Sequence, residues 1–248
     1  MTARSATVVA TGVPVTAVVA SYGSTQDVDM QLLVPEESPI RRGEDLVGKK
    51  VAVNTLGANS EAVIDTYLED EGLTPAQIDE VTLVPLPGVN QEAALRDGTV
   101  DAALLSFATK EFALDNGGLR ALATDTDFVG DYNGGSYAVA NSLVEENPEG
   151  AEELVAGIAR AIDFEQTHPV GEVRAIYQDW LEEQGRGEEK KVYATWSGNG
   201  VASPGGVLDE EDFTIWLDWL DAEGEVDADS LDVSSIFTNR FNPYAEER

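Results

Sequence analysis

The 248-residue chain has no cysteine, and its one histidine is His168. The missing cysteine excludes disulfides, thiolate chemistry, cysteine-ligated zinc and iron–sulfur clusters. A lone histidine leaves little from which to build an imidazole-based metal or catalytic site. Positive charge is scarce as well: 15 Lys and Arg stand against 47 Asp and Glu, a formal net charge of −32. Such a surface repels a polyanion and offers no basic stripe, so nucleic acid is excluded as a partner, and anionic lipid equally. No run approaches the roughly 20 apolar residues that a membrane span requires. The opening Met1 to Ala10 has neither the apolar run nor the cleavage site of a secretory signal, and a lipid anchor has no cysteine to use. Dinucleotide and phosphate-loop glycine patterns, Gly-x-Ser-x-Gly and the calcium loop Asp-x-Asp-x-Asp-Gly are all missing.

What is there reads as a folded chain. The 42% hydrophobic and 25% charged shares are globular proportions, and the length suits one large or two smaller domains. Residues 2–11 read as the last turns of a helix capped by Gly12. Val13 to Tyr22 is continuous and β-branched, the pattern of a strand buried on both faces. Further strands are expected at Met30 to Val34, Lys50 to Asn54, Val81 to Leu86, Val100 to Leu105, Leu119 to Ala123 and, after a Gly134-Gly135 turn, Ser136 to Ala140. Helices are expected from about Ser60 to Glu71, closed by Gly72, from Gln91 to Arg96 with Asn90 as cap, and from about Thr109 to Leu114. This alternation predicts parallel βαβ layers. Beyond Asn141 the chain turns helical: Pro148 to His168, Glu172 to Gln184, and Phe213 to Leu220.

The chemistry-bearing residues are few. Asp65, Glu69, Asp70 and Glu71 fall at helical spacings on a solvated face, and Asp209 to Asp212 suits the first turn of the helix it precedes. His168, at a helix end, reads as a surface residue favoured by the C-terminal dipole. No catalytic residue and no metal ligand stands out, and no cofactor is expected. The positive signal is a set of strand-to-helix loops ending in small polar residues. Thr55-Leu-Gly-Ala-Asn-Ser60 follows a strand and opens a helix, so the amides of Ala58 to Glu61 are expected to point into the crevice at the carboxyl end of the sheet, a place for a polar or anionic ligand. Gly88-Val-Asn90 and Ser106-Phe107 occupy the corresponding loops of the next two units. Alternatively, Asn59, Ser60 and Asn90 are merely N-caps, worth about 1 kcal/mol each.

Three segments carry a resemblance: Ser38-Pro-Ile through Asp45-Leu-Val-Gly-Lys-Lys-Val-Ala-Val53, then Gly57-Ala-Asn-Ser60, then Ala93-Ala-Leu-Arg-Asp-Gly-Thr-Val-Asp-Ala102. Together with the tail Leu231 to Pro243 they resemble the solute-binding proteins of ABC importers, in the nitrate/sulfonate/taurine-like and pyrimidine-precursor-like branch. The resemblance implies an α/β, bilobed, periplasmic-binding-protein type II-like architecture closing about two hinge strands, here Met30 to Val34 and Tyr137 to Ala140. It assigns 1–34 and 134–248 to a first lobe and 35–133 to a complete second lobe. Family members carry more strands, and an export signal, before the equivalent of Thr2, so the first lobe is expected to be incomplete at its N-terminus. The implied function is to bind a small polar or anionic organic solute between the lobes and deliver it to ABC permease subunits outside the cytoplasm, as a monomer and without catalysis. The ligand residues expected are Thr55, Gly57, Ala58, Asn59, Ser60, Asn90 and Ser106, faced by Ser21 and Tyr22 of the first lobe. A net charge of −32 does not forbid an anion, because salt screens the field beyond about 8–10 Å. Two other readings share the architecture. An effector-sensing domain of a transcription regulator normally follows a helix-turn-helix, and none is present. The pyrimidine-precursor synthases rely on Cys- and His-rich motifs that this sequence lacks.

Overall fold

The computed structural model describes residues 2–245. In chain order the elements are α1 (Thr2–Ala10), β1 (Val15–Ser24), β2 (Met30–Pro35), β3 (Lys50–Val53), α2 (Asn59–Asp70), α3 (Pro75–Ile78), β4 (Thr82–Pro85), α4 (Gly88–Arg96), β5 (Ala102–Ser106), α5 (Phe107–Asp115), β6 (Leu119–Thr124) and β7 (Tyr132–Ala140). The helical remainder comprises α6 (Asn141–Glu146), α7 (Pro148–Thr167), α8 (Val170–Glu183), α9 (Lys190–Tyr193), α10 (Glu211–Thr214) and α11 (Leu217–Ala222).

Two compact units divide the chain. One holds the residues up to Thr25 together with Asp131–His168 and Asn199 onward; the other holds Gln26–Gly130 and Pro169–Gly198. Residues 26–34 and 169–198, which the resemblance places in the first lobe, group with the second unit. For 26–34 the reason is hydrogen bonding: β2 is paired on both sides within that unit's sheet.

In the second unit a five-stranded sheet runs in the order β4-β3-β5-β2-β6. Strand β3 is parallel to β4 and β5, whereas β2 is antiparallel to both β5 and β6. The sheet is therefore mixed, where the sequence predicts parallel layers. Apolar periodicity reports which face is buried and carries no information on strand direction. Leu33, Ala52, Leu95, Val100, Ala103, Leu105, Ala113 and Leu119 form one buried cluster between the sheet and α4 and α5. On α2 the stripe Ala62, Val63, Tyr67 and Leu68 is buried as its spacing predicts, and Gly72, at φ +83°, closes the helix.

The first unit is built on an antiparallel pair, β1 with β7. Ala17, Val18, Val19 and Ala20 of β1 are buried, as are Val155, Ala159 and Ile162 of α7. Asn147 caps α7 by accepting the Gly150 amide, and Pro148 occupies the first turn, where its missing N–H costs nothing. Two expectations change here. The helix expected over 213–220 is two short ones, α10 and α11, separated at Ile215–Trp216; Trp216 is buried and packs edge-on to Tyr132 at 5.4 Å. Gly134 and Gly135 lie inside β7, not in a turn. A Cβ on Gly135 would stand 2.3 Å from Cε1 of the Tyr22 ring, and one on Gly134 would stand 2.8 Å from its Cε2. The glycine pair is thus a flat seat for an aromatic ring on the neighbouring strand.

Candidate functional site

The site is set by strand direction. Because β4, β3 and β5 are parallel and adjacent, their carboxyl ends lie on one edge of the sheet, and each feeds a helix there. The loop after β3 carries Thr55, Gly57 and Ala58 and runs into Asn59 and Ser60 of α2. The first turn of α4 carries Asn90, and β5 ends on Ser106. Seven of the nine expected ligand residues are therefore brought to this edge. Ser21 and Tyr22 lie on β1, in the other compact unit. Burial raises the Tyr22 phenol above the ordinary tyrosine range, so it stays protonated at physiological pH.

Local chemistry departs from the expectation at three points. Neither Asn59 nor Ser60 is the cap of α2; Ala58 holds that position with an extended backbone and no side-chain hydrogen bond. Asn59 and Ser60 instead turn inward and are buried, and the Ser60 hydroxyl donates to Asn54 Oδ1 at 2.6 Å. The Ala58–Glu61 amides are not all free: Glu61 N–H donates to the Ala58 carbonyl at 2.9 Å. The Glu61 carboxylate itself folds back to accept from the Gly57 amide. Asn90 is not a cap either, because α4 begins earlier, with Pro87 at its N-cap and Asn90 exposed in the first turn. The neighbouring Gln91 is the buried residue, and its amide donates to the Leu86 carbonyl at 3.1 Å.

The same edge holds residues that sequence reasoning missed. Strand β2 is antiparallel to β5, and Met30 stands opposite Ser106, so the entry to β2 lies beside the exit from β5. Asp29 at that entry is buried and pairs with Lys110 in the first turn of α5. Lys110 is only 4% exposed and also meets Glu111 at 3.0 Å. Gln31 donates to both Asp29 oxygens at 3.4 and 3.3 Å. At the end of β6, Asp125 accepts from the Met30 amide at 3.0 Å. Phe107, where β5 becomes α5, has φ +50°, a left-handed conformation costly for a bulky side chain. No periodicity marks these residues. The one available signal was a lysine placed where a helix N-terminus disfavours it. Behind the edge, a void of about 10 Å³ between α2 and the sheet, lined by Ile64, Tyr67 and Leu104 among others, has room for one water and none for a solute.

Small polar loops gathered at the carboxyl ends of parallel strands are where α/β folds bind ligands, and comparison with known proteins places the chain in a family. A family model described as NMT1/THI5 like matches residues 2–172, and the chain belongs to that family. A protein of Escherichia coli named for binding aliphatic sulfonates is 34% identical over 116 residues, 47% of this chain and 34% of that one. The chain thus spans about a third of the length of this curated relative. Among solved structures, a protein from Bordetella bronchiseptica matches with a TM-score of 0.75 at 21% identity, over 99% of this chain and 78% of the other. The periplasmic aliphatic sulphonate binding protein SsuA from Escherichia coli matches at 0.61 and 20%, over 96% and 73%. The desulfurization enzyme DSZB matches at 0.58 and 16%, over 92% and 78%. At these identities the likeness is one of fold.

Proposed function

We propose that the protein binds a small polar or anionic organic solute and hands it to the permease of an ABC importer, outside the cytoplasm and without chemical change. The observation that carries this reading is the edge of the five-stranded sheet, where three adjacent strand ends open into helices through loops of small polar residues. Such an edge presents amides and hydroxyls to a ligand and needs no reactive side chain. The E. coli relative and SsuA, both named for sulfonate binding, support the same class and point to organosulfonates as the first solutes to try. An enzyme such as DSZB shares the fold, so the fold alone does not separate binding from catalysis. This chain has no thiol, and no cluster of metal-ligating residues exists among the described ones. Among the described residues no helix is long and apolar enough to cross a membrane.

Thermal-shift and calorimetric screening of sulfonates, nitrate, taurine, aromatic carboxylates and pyrimidine precursors of thiamine tests the reading. One solute is expected to raise the melting temperature saturably and to be recovered unchanged. Turnover of any of them, or stabilisation by none, would overturn it.

A further inference from the structure

One group at the edge has no role in solute binding as described so far, the buried ammonium of Lys110. We infer that Lys110 is the cation that receives the anionic group of the solute, and that Asp29 occupies that place while the protein is empty. The inference rests on the solute-binding reading and names the charge the solute carries.

Placement singles Lys110 out. Among the described cations of the sheet and its crossover helices, Lys49 and Lys50 stand at the start of β3, Arg96 at the end of α4 and Arg120 near the start of β6. All four lie at the opposite edge. Lys110 stands at the edge where the loops gather, one turn beyond Ser106; Arg174 of α8 donates to the Trp196 carbonyl, next to Thr195, which meets the start of α5 at the Ala108 carbonyl. At the fourth residue of α5 the Lys110 charge opposes the helix dipole. Burying it there is unfavourable unless partners compensate.

Charge balance points the same way. Two carboxylates, Asp29 and Glu111, face one ammonium, one more than neutrality requires. Glu111 is its neighbour on α5 and partly exposed. Asp29 comes from the entry to β2, where buried Val28 separates it from the exposed Gln26 and Asp27. A sulfonate or carboxylate taking the place of Asp29 leaves the charge around Lys110 unchanged and releases an aspartate to water. The α2 loop repeats the motif, with the Glu61 carboxylate lying on the Gly57 amide. The protein's own acids thus hold both positions that suit an anion.

The test is calorimetric titration of the full chain with ethanesulfonate and with a neutral thiamine-precursor pyrimidine. Asp29→Asn is expected to tighten ethanesulfonate about tenfold, the scale of one charge-assisted hydrogen bond no longer contested. Lys110→Met should weaken it by at least about tenfold. If Asp29→Asn does not fold, Gln31→Met, which removes only the neutral donor steadying Asp29, should tighten binding in the same direction by a smaller factor. Unchanged or weaker ethanesulfonate binding in the Asp29 or Gln31 variant overturns the inference, as does unchanged binding in Lys110→Met. Binding of the neutral pyrimidine with no anion bound overturns it while the solute-binding reading survives. Binding of neither probe, nor of any solute in the wider screen, overturns both.

Discussion

Glu165 shows how one residue links sequence, burial and pH. It ends α7 in the first unit, and its carboxylate accepts the Asn199 amide at 2.6 Å. Burial raises its pKa above the ordinary carboxylate range, and that hydrogen bond only partly offsets the shift. Asp212 behaves alike: desolvation raises it, against hydrogen bonds from the Asn133 side chain and the Asp209 and Asn133 amides. An acid raised in the folded state binds more protons than in the unfolded chain. Its stabilising contribution is therefore complete below the ordinary carboxylate pKa and is lost as pH rises through the higher folded value. Stability should accordingly fall as pH climbs from about 4 toward neutrality. Glu165→Gln, which keeps an acceptor for Asn199, should flatten that fall. Melting curves across the range decide the matter, and an unaltered slope would show that Glu165 ionises without cost. Neither acid could be picked from the 47 in the sequence, because burial is a property of the folded neighbourhood.

At the scale of elements, the sequence was most legible where one face is plainly apolar. The helix expected over Ser60 to Glu71 is α2 at Asn59–Asp70, and the long helix from Pro148 is α7, ending one residue before His168. Its misreadings have local causes. The glycine pair of β7 reads as a turn until the Tyr22 ring above it is seen. Asn90 reads as a cap until Pro87 starts α4 earlier. The Phe213 to Leu220 stretch is apolar enough for one helix but is broken at Trp216, whose ring packs against Tyr132. The packing of α4 on the sheet supplies a prediction at this scale. Leu95 is 1% exposed within the cluster that includes Leu33, Ala103 and Leu105. Leu95→Ala should cost about 2–5 kcal/mol in the unfolding of the second unit. Urea denaturation reads this out, and a loss under about 1 kcal/mol would mean that α4 does not close the core.

For the whole molecule the dominant quantity is the net charge of −32. Ion pairs such as Arg96–Glu92 and Arg186–Glu189 engage few of the acids, and the rest repel one another across the surface. Salt should therefore stabilise the fold. The melting temperature is expected to climb as sodium chloride goes from about 0.01 M to about 1 M, where the screening length shrinks from roughly 30 Å to roughly 3 Å. A melting temperature that stays level or drops would place the repulsion in the unfolded chain as much as in the folded one. The charge does not decide the ligand. At contact a single buried lysine and a few amides outweigh a distant, screened field.

From the sequence alone came the class: an α/β chain without a thiol, and the short segments that resemble solute-binding proteins. Composition and periodicity suffice for these because each residue contributes to them independently of its distant neighbours. Only the tertiary structure decided that β2 runs against β5, which brings Asp29 to Lys110 although they stand 81 positions apart in the sequence. Strand direction and long-range pairing depend on contacts that no local pattern encodes, and the candidate site is made of just such contacts.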